Sequence, residues 1–130
     1  MAIDYADFAF AKGSTKLDRA VDKKIARLAD AVKLRAWALA VKDRDLWKDR
    51  KTGIRVLRTR QLDPLRAEAH HIVAKDDPAV RYDVRNGLCL SLATHCLVEQ
   101  HRYRIEGTVF FRIGGCRYID ATFPVIFVRL

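Results

Sequence analysis

An apolar stripe runs through the first third of this 130-residue chain and limits how the rest can fold. Apolar residues recur at spacings of three and four from Leu17 to Leu39, which predicts one long amphipathic helix over about residues 14–42. Thr15, with Asp18 three residues later, has the pattern of an N-terminal capping box. Such a helix covers a core or pairs with a second helix, and the stripe by itself says nothing about chemistry.

Those residues alternate short apolar runs with turn signals, which predicts an α+β fold in a single domain over residues 1–130. Residues 66–73 are expected to be extended, and Asp76-Asp77-Pro78 predicts a loop. Leu88–Leu92 predicts a strand, and Thr94 is the expected cap of a short helix that reaches about Gln100. The order strand, loop, strand, helix makes a ββα unit within residues 66–101.

The segments on either side of this unit also have recognisable patterns. Residues 1–13 are expected to form an extended or loosely ordered arm, and Ile54, Val56 and Leu57 indicate a short strand. Two β-rich runs flank Gly114-Gly115 and predict a hairpin within residues 108–130, followed by a third strand from Pro124.

Charge and cysteine content narrow the class of protein. A formal net charge of +9 favours a polyanionic partner, and residues 50–66 hold six basic side chains against one acid, Asp63.

Three cysteines without a C-x-x-C pair argue against a disulfide framework or a cysteine-held zinc, and reduced, mostly buried thiols are expected. No apolar run approaches the roughly 20 residues of a membrane span. The acidic N-terminus lacks the basic start of a secretory signal, so we expect a cytoplasmic protein.

All four histidines fall between positions 70 and 101. His70 and His71 are adjacent on an extended segment, so their side chains should point to opposite faces. Glu99 follows His95 by four residues and shares its helical face, whereas His101 returns to that face only if the helix ends first. Neutral imidazole is a common metal ligand and the usual general base near pH 7. A metal site and a set of unrelated histidines both remain open on spacing alone.

Three motifs resemble the signature elements of the HNH endonucleases, also called ββα-metal nucleases. They are Glu68-Ala-His-His-Ile72, Asn86-Gly-Leu88 and Thr94-His95. The similarity extends upstream through Val41-Lys-Asp-Arg-Asp-Leu-Trp47 and downstream through Arg104-Ile-Glu-Gly107. It therefore covers residues 41–107, about half of the chain, and leaves the long helix and the C-terminal strands outside.

The resemblance implies a role for each motif residue. His70 and His95 match the metal ligands, His71 matches the general base, and Asn86 matches the structural asparagine that holds the loop. Glu99 is the first choice for a third ligand and His101 the second. The implied cofactor is one divalent ion, with magnesium, manganese, zinc, nickel and cobalt all open.

One departure from the family concerns a separate zinc that many members hold with two C-x-x-C pairs. The matching positions here are Asp49 and Thr52, then Ser91 and Thr94. These side chains are not a zinc ligand set, so no cysteine-held structural zinc is expected. The long helix and the C-terminal hairpin are the expected sources of replacement packing.

The function implied is metal-dependent hydrolysis of DNA by a phage or bacterial protein, in a bacterial cell or phage-infected host. A monomer would nick the duplex, whereas a homodimer could break both strands, and the cut would leave 5′-phosphate and 3′-hydroxyl ends. Weak sequence specificity is expected, because the arginines expected to grip phosphates read the backbone only. These arginines are Arg55, Arg58, Arg60, Arg66 and Arg85. A non-catalytic, metal-stabilised nucleic-acid-binding module and an RNase with the same site are the alternatives.

Overall fold

A computed structural model describes residues 15–73 and 77–130 of the chain, and these residues form an α+β fold, as predicted. The chain divides into two compact units, residues 1–36 and 37–130. The helices are α1 (Lys16–Arg44) and α2 (Leu92–Glu99), with a short 3-10 helix at Val84–Asn86. The strands are β1 (Ala67–His71), β2 (Gly87–Ser91), β3 (Tyr103–Gly107), β4 (Phe110–Ile113), β5 (Cys116–Ile119) and β6 (Val125–Arg129). None of the helices in the described ranges is long and apolar enough to cross a membrane.

Helix α1 begins at the predicted capping box. The amide of Thr15 donates to Asp18 Oδ2 and the amide of Asp18 donates to Thr15 Oγ1, both at 3.1 Å. These reciprocal bonds satisfy two of the orphan amides at the helix start, so the predicted cap is confirmed. In the first unit, the apolar stripe is exposed along the helix at Leu17, Val21, Leu28 and Val32. The expected arm, residues 1–13, lies outside the described residues.

The last turns of α1 belong to the second unit and bury different residues from the stripe. Trp37 and Val41 are buried, whereas Leu39, the last residue of the predicted stripe, is half exposed. The buried pair lies against the start of β2, where Gly87 leaves no room for a side chain. Helical periodicity therefore predicted the position of the helix correctly, but it did not predict which face is buried in the second unit.

Strands β1 and β2 pair antiparallel, with His70 opposite Leu88 and His71 opposite Gly87. Helix α2 follows β2 directly, so strand, loop, strand and helix occur in the predicted order. The predicted cap was wrong, because the side chain of Ser91, not Thr94, caps the helix and accepts the amide of Thr94 at 3.1 Å. The strand predicted from Ile54 to Leu57 was also wrong. That stretch makes only isolated bridges, Lys48 with Arg55 and Leu57 with Arg66.

The C-terminal strands form two separate pairs. Strands β4 and β5 make the predicted hairpin, and Gly114 turns it with a φ of 59° that glycine adopts without strain. The predicted last strand, β6, does not join this hairpin but pairs with β3, which the sequence reading did not identify as a strand. The β3–β6 pair supplies Ile105, Val125 and Phe127 to the cluster around Leu88 and Leu90 of β2.

The second edge of β2 is hydrogen-bonded by the residues that follow α1. Asp45 Oδ2 accepts the amide of Cys89 at 2.9 Å, and Asp49 Oδ2 accepts that of Ser91 at 2.8 Å. Between them, the amide of Arg50 donates to the carbonyl of Cys89 at 3.0 Å. Every residue of β2 is buried, so this edge needs partners other than water.

All three cysteines are free, as expected from the sequence. Only Cys89 is buried, and its burial raises the pKa of its thiol to about 12. Cys96 and Cys116 are exposed, so the expectation of mostly buried thiols was wrong.

We predict that Gly87→Ala destabilises the protein. A Cβ at this position would lie 2.6 Å from both Trp37 Cζ2 and Val41 Cγ2, and both side chains are buried. Overpacking of this kind costs about 1–3 kcal/mol of unfolding free energy, which urea denaturation measures. Gly115→Ala is the matched control, because no atom lies within 4 Å of its Cβ position. Equal stability of the two variants would contradict the packing described for β2.

Candidate metal centre

Three metal-ligating side chains converge between β1 and α2. One ligand atom from each of His70, His95 and Glu99 lies within 4.8 Å of the other two. Glu99 Oε1 is 3.2 Å from His95 Nε2 and 3.7 Å from His70 Nδ1, and the two imidazoles meet edge to face. Strand β1 supplies the first histidine, and one turn of α2 supplies the other two residues at the predicted i, i+4 spacing.

This donor set fits a divalent ion. Ligand atoms that share one metal at about 2.0–2.2 Å lie roughly 3.0–3.5 Å apart, and Glu99 Oε1 lies 3.2 Å from His95 Nε2 and 3.7 Å from His70 Nδ1. Burial, helped by the nearby His95, lowers the pKa of His70 to about 4, so its ring is neutral near pH 7 and can bind a metal. Glu99 remains exposed and supplies a negative charge at the open side of the set. Two imidazoles and one carboxylate leave further coordination positions for water or substrate.

His101, the second choice for a third ligand, lies outside this group of donors. Helix α2 ends at Glu99, and His101 adopts a left-handed conformation with φ 57° just beyond it. This conformation turns the chain from the helix into β3. His101 instead lines a cleft that His70 and Glu99 also border.

His71 is not one of the three donors and makes different contacts. Its ring stacks on the indole of Trp37, with centroids 3.7 Å apart and planes 9° from parallel. Its Nε2 lies 2.9 Å from the carbonyl oxygen of Arg81. A carbonyl only accepts, so Nε2 carries the proton, and in the neutral ring the lone pair is on Nδ1. The structure thus places the adjacent histidines in different environments, one in the donor set and one against α1.

Asn86 is buried and fixes the chain directly after His71. Its Oδ1 accepts the amide of Val73 at 2.8 Å, and its Nδ2 donates to the carbonyls of Val73 at 3.1 Å and Val80 at 3.3 Å. Its backbone carbonyl accepts the amide of Ile72 at 3.0 Å. This is the hydrogen bonding expected of a residue that holds the loop in place, and its importance for catalysis stays a prediction.

The four positions that match the absent zinc ligands are joined by hydrogen bonds. Asp49 is buried and accepts the amides of Lys51 at 2.7 Å, Thr52 at 3.0 Å and Ser91 at 2.8 Å. Ser91 in turn bonds to Thr94 through both its cap interaction and a hydroxyl–hydroxyl contact of 3.1 Å. A carboxylate-centred hydrogen-bond network therefore occupies these positions.

Of the five arginines expected to contact phosphate, three have a side-chain partner within the fold and two make no ion pair in the described part of the chain. Arg66 pairs with Glu68, and Arg85 pairs with Asp83 and lies over the ring of Phe111, so both have partners within the fold. Arg58 lies 3.8 Å above the ring of Trp47. The remaining two, Arg55 and Arg60, are exposed and make no ion pair with any residue in the ranges 15–73 and 77–130.

Two contacts of the site were not anticipated from the sequence. Trp37 lies two residues before the end of the predicted stripe and off its face, so periodicity gave no reason to place it against His71. The carbonyl that bonds His71 belongs to Arg81, ten residues along the chain, and any residue other than Arg would present the same group. Backbone acceptors of this kind leave no signal in a sequence.

No protein-family model, curated protein or solved structure matches the chain. The motif residues and the geometry around them therefore carry the functional argument.

We predict that the three donors bind a divalent ion together. Titration with Co²⁺ or Mn²⁺, followed by calorimetry, should give one site, and Glu99→Gln should weaken binding at least tenfold because it removes the charged ligand. His101→Ala is the matched comparison, since it removes an imidazole just outside the donor group. Loss of affinity in His101→Ala but not in Glu99→Gln would reverse the ligand assignment.

We also predict that Asp49→Ala costs about 3 kcal/mol of unfolding free energy at pH 7, because it leaves three amides without an acceptor. Asp63→Ala, which removes one exposed turn hydrogen bond to Leu65, should cost about 1 kcal/mol or less.

The contribution of Asp49 should also depend on pH. Burial acts to raise the pKa of Asp49, but hydrogen bonds from Thr94, Ser91 and Thr52 outweigh it and leave the pKa lowered. The carboxylate's contribution is therefore complete above the ordinary value of 3.8 and is lost as pH falls through the lower folded value. Urea denaturation of wild type and both variants from pH 7 downward measures these unfolding free energies. If the difference in unfolding free energy between wild type and Asp49→Ala already vanishes at pH 5, this account is contradicted.

Proposed function

We propose that this protein is a metal-dependent endonuclease of the HNH type that hydrolyses phosphodiester bonds in DNA. The observation that carries the proposal is that the adjacent histidines on β1 lie in different environments. His70 belongs to a donor set suited to a divalent ion. His71 is oriented separately by Trp37 and the carbonyl of Arg81. Hydrolysis of a phosphodiester needs one group to neutralise charge and another to take a proton, and these two rings suit the two tasks.

The donor set would position the scissile phosphate by holding the metal ion that the phosphate contacts. A bound divalent ion would supply positive charge for the phosphate oxygens and for the departing 3′ oxygen. His70 is mostly buried and neutral, so it does not compete for a proton at pH 7. Glu99, at the exposed side, leaves the approach to the set open to a substrate.

His71 would act as the general base. Because Nε2–H donates to the carbonyl of Arg81, the nitrogen that takes the proton is Nδ1. As that proton leaves water, the water oxygen forms a bond to phosphorus and the bond from phosphorus to the 3′ oxygen breaks. The 3′ oxygen then takes a proton from solvent, and the phosphate stays on the 5′ side. Asn86 supports this step by fixing the backbone of Ile72 and Val73, directly after the base.

Charge supports a nucleic acid as the substrate. The chain carries a formal net charge of +9, and Arg55 and Arg60 are exposed cations available to phosphates. Contacts of this kind hold the backbone without reading bases, which suits cleavage of weak sequence specificity. A metal that only stabilised a binding module would have no need of a second, separately oriented imidazole, which favours the enzyme over that alternative.

The test is nicking of supercoiled plasmid with Mg²⁺, Mn²⁺, Zn²⁺, Ni²⁺ or Co²⁺, with a chelator as the blank. We expect nicking with at least one ion. We expect His71→Phe to lower the rate roughly 100-fold or more, because phenylalanine keeps a ring against Trp37 but cannot take a proton. His70→Ala should lose both nicking and metal affinity, whereas His71→Phe should lose nicking alone.

The two variants thus control for each other, since both change the same strand. Undiminished nicking by His71→Phe would refute the assignment of the base, and no nicking with any ion would refute the nuclease. Faster cleavage of structured RNA than of plasmid would make the protein an RNase that uses the same site.

A further inference from the structure

A cleft of about 340 Å³ opens beside the candidate metal centre. His70 and Glu99 line it, so two of the three donors border the cleft. Its floor is apolar and consists of Ile72, Val98 and Ile105, which pack against the core of the second unit. A substrate phosphate at the donor set would therefore have its neighbouring sugar and base at this apolar floor.

The cleft is also lined by an aromatic side chain and a basic one. Tyr103 lines it, and the ammonium of Lys51 lies 4.5 Å from the centre of the Tyr103 ring. Arg104 adds an exposed guanidinium that pairs with Glu106 at 2.7 Å. An exposed ion pair of this kind is worth little, so a phosphate can replace Glu106 as the partner of Arg104.

We infer that this cleft binds the nucleoside next to the cleaved phosphate, with its base against Tyr103 and the apolar floor and the next phosphate near Arg104. The inference rests on the proposed nuclease function and specifies its substrate. A volume near the lower end for small-ligand sites suits one nucleoside and not a base pair. The base must then leave the duplex stack, which costs least where it is already unpaired. The preferred substrate is accordingly DNA with an unpaired nucleotide at the cut.

The first test needs no metal. Thymidine 3′,5′-bisphosphate is titrated into the full chain with a chelator present, and methyl resonances are followed by NMR. We expect the methyl groups of Ile72, Val98 and Ile105 to shift together, because a base over the cleft floor changes their ring-current environment. Unchanged methyl resonances at millimolar nucleotide, or shifts confined to residues away from the cleft, would overturn the inference.

The second test compares two substrates of the metal-loaded protein. Bis(p-nitrophenyl) phosphate has no nucleoside, whereas a single-stranded thymidine oligonucleotide fills the cleft. We expect the ratio of kcat/KM for the oligonucleotide to that for the small diester to fall roughly tenfold in Arg104→Ala and in Tyr103→Leu. In Arg102→Ala, which changes an exposed arginine two residues away that borders a different cavity, the ratio should stay at the wild-type value.

The outcomes separate the two proposals. If wild type cleaves both substrates and Arg104→Ala keeps the wild-type ratio, the nucleoside site is wrong and the nuclease stands. If wild type cleaves neither substrate, the nuclease is wrong and the inference that rests on it falls too. If wild type prefers duplex to single-stranded DNA of the same sequence, the proposed preference for an unpaired nucleotide is wrong.

Discussion

The second unit depends on how the two edges of β2 are hydrogen-bonded. This strand is buried along its whole length, so an amide or carbonyl left without a partner there would carry a full desolvation penalty. Strand β1 satisfies one edge. The other edge meets the residues after α1, where the carboxylates of Asp45 and Asp49 accept strand amides and the amide of Arg50 completes the pattern. Arg44 and Arg50 hold Asp45 in turn, at 2.9 Å each. Because β2 runs directly into α2, the bonds that fix its edge also fix the start of the helix that carries His95 and Glu99.

The same arrangement connects the segment around Asp49 to the segment around Ser91. Here the Asp49 carboxylate makes that connection, since it accepts amides from its own turn and from β2. A buried carboxylate is costly unless its oxygens are fully hydrogen-bonded, and here backbone amides meet both of them.

The sequence predicted the parts of the molecule that depend on local pattern. The capping box of α1, the β1–β2 order, the Gly114 turn and the His95–Glu99 pairing all follow from spacings of a few residues. Errors arose where a residue's environment comes from distant parts of the chain. Trp37 has a place in the site only because β1 brings His71 to it, and β3 is a strand because β6, some twenty residues later, pairs with it. Ser91 displaces Thr94 as the helix cap because the helix begins as soon as β2 ends. The pattern of residues 54–57 was strand-like, but the partners available to it are single backbone bridges.

The uneven exposure of the three thiols has a practical consequence. Cys89 is buried with a pKa near 12, so almost none of it is thiolate at neutral pH, and it should resist alkylating reagents. Cys96, by contrast, is exposed on α2 directly after His95, and Cys116 is exposed at the start of β5. With Cys116 changed to serine, a thiol-reactive spin label or fluorophore would attach at one position, one residue from a proposed ligand. The chain therefore carries its own attachment point for a spectroscopic probe of the donor set.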